Sequence, residues 1–236
     1  MPMNKTSAWI LSLGLIVAAL IFGIFFYGSR QTDQTVRVVG YSTYDFEANI
    51  VKWSFTFSET VPTGNLTAGY QTMNDRLQTF KRIWNELAIS FEDFNIQPIT
   101  VRKMYGQYGK IEGDILEQNI FIISKDLDAI ENLAINPIDF TTEGLAFEYS
   151  NMQYFSTDIP DIKMKLLGDA TENAIERANE IAKSTGSKVK EITSARTGVF
   201  QITEPYSTEF SDYGMYQTST RKKSIRVTVT CTFTIK

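Results

Sequence analysis

The sequence has no histidine and a single cysteine, Cys231, and these two shortages exclude several kinds of chemistry. Without histidine there is no Ser-His or Cys-His catalytic pair and no histidine-containing metal site. With one cysteine the chain can form neither an internal disulfide nor a cysteine-based metal cluster. We therefore predict that the protein is not an enzyme, has no catalytic, metal-binding or cofactor-binding residues, and uses no cofactor.

Basic residues are fewer than acidic ones. The chain has 23 Lys and Arg against 27 Asp and Glu, a formal net charge of −4. Lys5 and Arg30 flank an N-terminal apolar segment, so the remainder of the chain is more acidic still. Sequence-independent binding to nucleic acid needs clustered Lys and Arg. We predict that nucleic acid is not a partner.

The apolar segment at residues 9–27, "WILSLGLIVAALIFGIFFY", carries no charge. As a helix it would be roughly 28 Å long, enough to cross a bilayer. Trp9 at one end and three aromatic residues at the other are placed as interfacial anchors. A cleaved signal peptide is the alternative, but no A-x-A-like site follows. We predict an uncleaved, single-pass anchor over 1–30 and a linker over 31–35, with the membrane as a partner.

The rest of the chain has the pattern of an α+β fold. "NIVKWSFTFSE" and "SIRVTVTCTFTIK" alternate with period two, which predicts half-buried strands, with Cys231 as a small core residue. Apolar periodicity predicts helices at 66–88, 127–134 and 159–185, and strands at 95–105 and 115–124. The order of long helix, strand, polar loop and strand occurs twice. It indicates either two related α-β-β halves or a coincidence. We expect long helices packed on antiparallel or mixed sheets.

The third predicted helix carries a row of alanines. "GDATENAIERANEIAKSTG" places alanine at every fourth position, at Ala170, Ala174, Ala178 and Ala182. Residues four apart form a ridge along a helix, and a ridge without side chains beyond Cβ allows close approach to a sheet or another helix. We interpret these four residues as a packing ridge rather than a cofactor site.

This helix also carries a family resemblance. The run "ATENAIERANEIAKSTGSKVKEITSA" resembles the signature of the SIMPL domain family. "VRVVGYSTYDFEANIVKWSFTFS" resembles the opening strand pair of that family, and "LQTFKRIWNELAISFEDFNIQPITV" resembles its first long helix and the strand after it. "SIRVTVTCTFTIK" is similar to its closing strand. The resemblance covers 36–236, which we predict to be one SIMPL-like domain.

The resemblance implies a location and an assembly rather than a reaction. SIMPL proteins are typically bacterial, exported or associated with the envelope, and of undefined activity. Some are linked to stress tolerance, and some form large homo-oligomers. The resemblance thus implies a protein of the bacterial inner membrane with its soluble domain in the periplasm or outside the cell, and it implies a homo-oligomer.

The segment 204–223, "EPYSTEFSDYGMYQTSTRKK", departs from the common pattern of the family and leaves the mode of assembly open. It places Tyr206, Phe210, Tyr213 and Tyr216 among acidic residues. Tyrosine-rich loops suit protein contacts because they offer a large area with few rotatable bonds. We predict an interaction loop that a short turn could replace without loss of folding. A loop that is merely mobile is the alternative.

These observations favour a membrane-anchored envelope protein that acts without catalysis, through self-association or a protein partner, in a context such as envelope stress tolerance. Two other classes remain open. One is an envelope hydrolase that uses paired carboxylates, for which Glu112, Asp114 and Glu117 are candidates. The other is a carrier with a pocket for a small ligand between helices and sheet.

Overall fold

The computed structural model describes residues 5–29 and 34–236 and confirms the α+β class. Its helices are α1 (Lys5–Ser29), α2 (Leu66–Leu87), α3 (Leu127–Ile135), α4 (Ile138–Thr141) and α5 (Ile159–Ser184). Its strands are β1 (Thr35–Glu47), β2 (Ile50–Pro62), β3 (Asp93–Ile96), β4 (Thr100–Tyr105), β5 (Ile111–Ser124), β6 (Glu148–Phe155), β7 (Val189–Thr197), β8 (Gln201–Thr203), β9 (Met215–Tyr216) and β10 (Lys222–Ile235).

The N-terminal helix contains a window, Trp9–Gly28, that is long and apolar enough to cross a membrane. A signal sequence would have the same length and composition. The predicted linker at 31–35 lies mostly outside the described residues, and β1 begins at Thr35.

The chain divides into two compact units. Within the described residues, unit 1 consists of 5–29, 34–41, Ala170–Gly198 and Val229–Lys236. Unit 2 consists of Ser42–Asp169 and Val199–Thr228. The divisions fall within β1, α5 and β10, so each of these elements contributes residues to both units.

Unit 2 has a sheet in which β2 is paired along its length with β5. The antiparallel register runs from Val51 opposite Ser124 to Pro62 opposite Gly113. β6 pairs with the other edge of β2, and β3 and β4 pair with the other edge of β5. The alternation of β2 turns Trp53, Phe55 and Phe57 to one face, where all three are buried. Burial of these rings against α2 gives unit 2 an aromatic core.

Unit 2 also contains β8, β9 and the first part of β10. β8 is antiparallel to β10, with Ser224 opposite Thr203 and Arg226 opposite Gln201. The short strand β9 runs parallel to β8, with Met215 opposite Gln201.

In unit 1, β7 is antiparallel to the second part of β10, from Val229 opposite Thr197 to Ile235 opposite Val189. Val229, Cys231 and Phe233 are buried, as the alternation of this strand predicts. Burial raises the pKa of the Cys231 thiol, so the thiol is held as a small apolar core group.

The predicted strand at 95–105 is two strands, β3 and β4. Pro98 lies between them, and because it has no N–H it interrupts the ladder with β5. The opening strands β1 and β2 belong to different sheets: β1 is the neighbour of β10, whereas β2 pairs with β5 and β6.

The two sheets have the same connectivity in the strands that follow the long helices. After α2, the last strand, β5, pairs with β3 and β4 on one edge and β2 on the other. After α5, the last strand, β10, pairs with β7 and β8 and lies next to β1. This order matches two α-β-β halves, each with an interrupted middle strand.

Candidate functional site

The aromatic loop, which we define as residues 205–214, holds three side chains in solvent. Tyr206, Phe210 and Tyr213 are 102%, 71% and 97% exposed. The backbone reverses at Tyr206 and Gly214, both of which have positive φ angles of 66° and 87°. Three of the four predicted aromatic residues thus lie in solvent on this one loop.

Tyr216, the fourth predicted residue, has a different role. It lies in β9 opposite Ile202, and its ring stacks against Phe155 with the centroids 6.2 Å apart. Burial raises the pKa of its phenol. Tyr216 is 43% exposed, less than the other three, and it is held on the sheet by β9 and by its contact with Phe155.

The aromatic loop is fastened to the sheet by the buried side chain of Gln201. Its Nε2 donates to the carbonyl oxygen of Ser211 at 2.6 Å, and the N–H of Ser211 donates to Gln201 Oε1 at 3.4 Å. Beyond β9, the N–H of Gln217 donates to the carbonyl oxygen of Ile202 at 2.9 Å. The exposed rings are therefore carried on a fixed base.

The residues after the aromatic loop are built into unit 2. The N–H of Tyr154 donates to the carbonyl oxygen of Thr218 at 2.7 Å. Arg221 Nε lies 2.6 Å from Glu47 Oε1, and its Nη1 pairs with Asp128 and lies 3.5 Å from Glu131 Oε2. The hydrogen bond to Asp128 is the main reason that the pKa of Arg221 is raised.

Lys223 is fully buried in the same segment. Its ammonium group donates to the carbonyl oxygen of Gln217. Desolvation lowers the pKa of Lys223, and the carboxylate of Glu204 acts in the opposite direction. Arg221 and Lys223 supply internal ion pairs and hydrogen bonds, which argues against replacing 215–223. That all of 204–223 is replaceable stays a prediction.

A cavity of about 450 Å³ lies beneath the aromatic loop in unit 2. β8 and the first part of β10 line it with Thr203, Ser224 and Val227. Tyr206 and Phe210 line it from the loop. The charged residues that line it are Asp45, Glu204, Glu209 and Arg226.

Glu204 is the residue of this cavity with an unsatisfied polar atom. Its Oε2 is buried and has no hydrogen-bond partner within the part of the chain that the structure describes. Lys223, a buried cation that interacts electrostatically with Glu204, gives its hydrogen bond to the carbonyl oxygen of Gln217 instead. An unsatisfied buried carboxylate oxygen is costly and calls for a donor.

The alanine row lies in unit 1 and faces β1. Ala170, Ala174, Ala178 and Ala182 are buried, with exposures between 0 and 2%. Opposite them is Gly40, where an added Cβ would collide with the carbonyl oxygen of Ala170 and lie 2.6 Å from Ala174 N. The helix and the strand thus meet backbone to backbone.

Polar contacts hold this close approach in place. The N–H of Tyr41 donates to Asn173 Oδ1 at 3.2 Å, and Arg177 Nη1 donates to the carbonyl oxygen of Val39 at 3.0 Å. The Arg177 guanidinium also lies 4.9 Å from the centroid of the Tyr41 ring. Sequence reasoning missed Gly40, although a glycine inside an alternating strand is a signal of close backbone approach.

The three candidate catalytic carboxylates lie on β5, and two of them, Asp114 and Glu117, are paired with basic residues of β4. Asp114 Oδ1 is 2.6 Å from Lys103 Nζ, and Arg102 Nε donates to Glu117 Oε2 at 3.0 Å. The hydrogen bond from Arg102 lowers the pKa of Glu117. A general acid at neutral pH needs the opposite shift.

The strand β7 presents an unusual surface in unit 1. Every residue from 190 to 197 is exposed, so both faces of the strand are in solvent. Among the described ladders it pairs with β10 alone, which leaves its other edge without a strand partner. Edges of this kind are templates for pairing with another chain.

Comparison with protein-family models gives a match over most of the chain. The model of the SIMPL family, described as protein of unknown function (DUF541), matches residues 36–235. The match runs from the second residue of β1 to the last residue of β10 and includes the aromatic loop and the alanine row. No curated protein matches the chain.

Proposed function

The chain belongs to the SIMPL family, and from this premise we propose that it is a membrane-anchored protein that acts without catalysis, by contacting another protein through its aromatic loop. The proposed location is the bacterial inner membrane, crossed once by α1, with the soluble domain in the periplasm or outside the cell. Tolerance of envelope stress is the proposed wider role.

The observation that carries this proposal is the exposure of Tyr206, Phe210 and Tyr213 on a fastened loop. Aromatic rings are enriched in protein interfaces, and a fixed base reduces the entropy that binding would cost. Three large rings in solvent on one loop gain free energy when a partner covers them.

A second copy of the chain is the partner that the anchor favours. Copies held in one bilayer by α1 share a thin layer of solvent, which raises their effective concentration for one another. We therefore propose a homo-oligomer as the first assembly to test, with a different protein as the other outcome.

The test replaces Tyr206, Phe210 and Tyr213 together with serine in the full chain. Membrane extracts in mild detergent are compared by native electrophoresis and light scattering. The matched control is Tyr108→Ser, because Tyr108 is equally exposed in the turn between β4 and β5. We expect the triple variant to lose the larger species and the control to keep it. The proposal is contradicted if the wild-type chain is a monomer with no other protein bound. It is also contradicted if the triple variant forms species of the same size as wild type.

The exposed edge of β7 supports a second candidate, self-association by strand pairing. Backbone groups along an unpaired edge can form a ladder with the same edge of another copy. Ile192→Lys places a charge on this strand, where such charges oppose pairing. The control is Ile135→Lys, at an exposed isoleucine of α3. Loss of the oligomer in the Ile192 variant alone would favour this candidate over the aromatic loop.

A further inference from the structure

We propose that one end of unit 1 binds the anionic phospholipid headgroups of the membrane through a lysine edge, which we define as Lys188, Lys190 and Lys236. This proposal rests on the proposed role of α1 as a membrane anchor. It is separate from the proposed protein contact, because no residue of the lysine edge belongs to the aromatic loop.

Three strand ends meet at the lysine edge. The start of β1 lies beside the end of β10, where the N–H of Ile235 donates to the carbonyl oxygen of Gln34 at 2.9 Å. The start of β7 also pairs with this end of β10, with Val189 opposite Ile235. The sheet of unit 1 therefore places the lysine edge next to the residues at which the chain arrives from α1.

The connection from α1 is short. Ser29 is the last residue of α1, and Gln34 follows five positions later. Five residues span at most about 18 Å when fully extended. The headgroup layer outside the hydrocarbon core is itself about 5 to 7 Å deep. With α1 across the bilayer, the lysine edge is therefore held close to the headgroups, and this tether gives the membrane surface a higher effective concentration than a free anion would have.

The positive charge of the lysine edge is not balanced by ion pairs. All three lysines are exposed. In residues 5–29 and 34–236, the lysines that form ion pairs with carboxylates are others, namely Lys103, Lys125 and Lys183. Glu191, the acidic residue next to the lysine edge in sequence, leaves this end of the sheet with a net positive charge. An anionic surface is the partner with complementary charge.

Two of the lysines are directly opposite each other. The N–H of Lys188 donates to the carbonyl oxygen of Lys236 at 2.7 Å, and the N–H of Lys236 donates to that of Lys188 at 3.0 Å. Residues paired in this way have Cα atoms about 5.5 Å apart, and like charges on them repel each other. Headgroup phosphates offset this repulsion, and they attract lysines that lie within a Debye length of the bilayer, about 8 Å at physiological ionic strength.

The test measures how fast single lysines of the full chain in nanodiscs react with a water-soluble acetylating reagent, as read by mass spectrometry. Discs of phosphatidylcholine are compared with discs in which phosphatidylglycerol replaces about a third of the lipid. We expect the lysine edge to react about threefold more slowly in the anionic discs, because headgroups cover the amines and keep them protonated. Salt at about 1 M should remove the difference by screening. Equal rates in the two lipids, or a difference that salt leaves unchanged, overturns the proposal.

A second lysine and two variants provide the controls. Lys110, exposed after the turn between β4 and β5, should react alike in both lipids, and an equal slowing there would overturn the proposal. Combined Lys188→Gln and Lys190→Gln substitutions should abolish the lipid dependence at Lys236, whereas Lys110→Gln should preserve it. Circular dichroism checks that the variants fold. A folded double variant in which Lys236 keeps its full lipid dependence contradicts the assignment.

Two further results distinguish this proposal from the proposed function. A chain that leaves the discs at about 1 M salt contradicts the anchor, and this proposal with it, because salt does not extract a spanning helix. The triple serine variant at Tyr206, Phe210 and Tyr213 should keep the lipid dependence of the lysine edge even where it loses the oligomer. Loss of the lipid dependence in that variant would assign the protection to the protein contact and overturn the lipid contact.

Discussion

The two units pack a helix on a sheet in opposite ways. In unit 2, Phe80 of α2 inserts among large rings, with centroids 5.3 Å from Phe55 and 5.2 Å from Phe140. In unit 1, the alanines of α5 let the helix backbone reach Gly40 of β1. The first solution gains stability from buried aromatic area, and the second from close contact between backbones.

The comparison predicts opposite sensitivities. Unit 2 should be damaged by removal of side-chain volume, because a cavity remains where a ring was. Unit 1 should be damaged by added volume, because there is no space between helix and strand. A substitution that removes volume in unit 2 can therefore be compared with one that adds volume in unit 1.

The largest effect is expected for Phe55→Ala in the aromatic core. The side chain is buried among Trp53, Phe57 and Phe147, so its loss should lower the free energy of unfolding by about 3 to 5 kcal/mol. Urea unfolding of the full chain in detergent measures the loss, and hydrogen exchange shows where protection falls. A variant within about 1 kcal/mol of wild type would mean that aromatic burial does not dominate unit 2.

The next effect is a pH dependence that belongs to unit 2. Burial, aided by Glu131, raises the pKa of Tyr154 from 10.0 to about 12. The unfolded chain ionises first as the pH rises, so the contribution of Tyr154 is complete below pH 10 and disappears towards pH 12. Its size is about 2 to 3 kcal/mol. Unfolding curves across this range should fall less steeply for Tyr154→Phe than for wild type, and parallel curves would contradict the assignment.

A smaller loss is expected when the alanine ridge is overfilled. Ala174→Leu or Ala178→Leu should destabilise by roughly 1 to 3 kcal/mol, although leucine forms helices nearly as well as alanine. The control Glu180→Leu, at an exposed position of the same helix, should change stability by less than about 0.5 kcal/mol. Thermal unfolding of the three leucine variants distinguishes overpacking from a change in helix propensity, because propensity predicts nearly the same effect for all three. Normal unfolding with lost oligomers would instead assign the ridge to a contact between copies.

The smallest effect is expected for the exposed loop. Replacement of residues 206–213 with a short glycine turn should change the free energy of unfolding by less than about 1 kcal/mol, because loop closure depends weakly on length. The control is Arg221→Ala, which removes the partner of Glu47, Asp128 and Glu131 and should destabilise more. If the loop deletion is the more harmful of the two, the loop is part of the core of unit 2.

Local periodicity predicted much of this fold. The stripes of α2 and α5, the alternation of β2 and β10 and the alanine row could be seen in the sequence because each depends on residues close in the chain. The break between β3 and β4 also has a local signal, because Pro98 cannot donate to a strand ladder. The separation of β1 and β2 into different sheets could not be predicted, because it depends on strands far apart in sequence.

In the candidate sites, too, features that depend on neighbouring residues could be predicted from the sequence, and features that depend on distant residues could not. The composition of 204–223 predicted exposed aromatic residues, but it did not distinguish Tyr216, which packs on Phe155, from the others. The burial of Lys223 and the unsatisfied oxygen of Glu204 arise from the return of the chain through β9 and β10. Such contacts are set by tertiary structure, and no local pattern reports them.

The proposed protein contact is tested most directly by cross-linking in intact membranes. A photoreactive phenylalanine analogue replaces Tyr213 in the full chain, and in a control chain it replaces Tyr70, which is partly exposed on α2. We expect irradiation to join position 213 to a second copy or to one other protein in a defined band, and to give no such band from position 70. No band from position 213, or the same bands from both positions, would contradict the account.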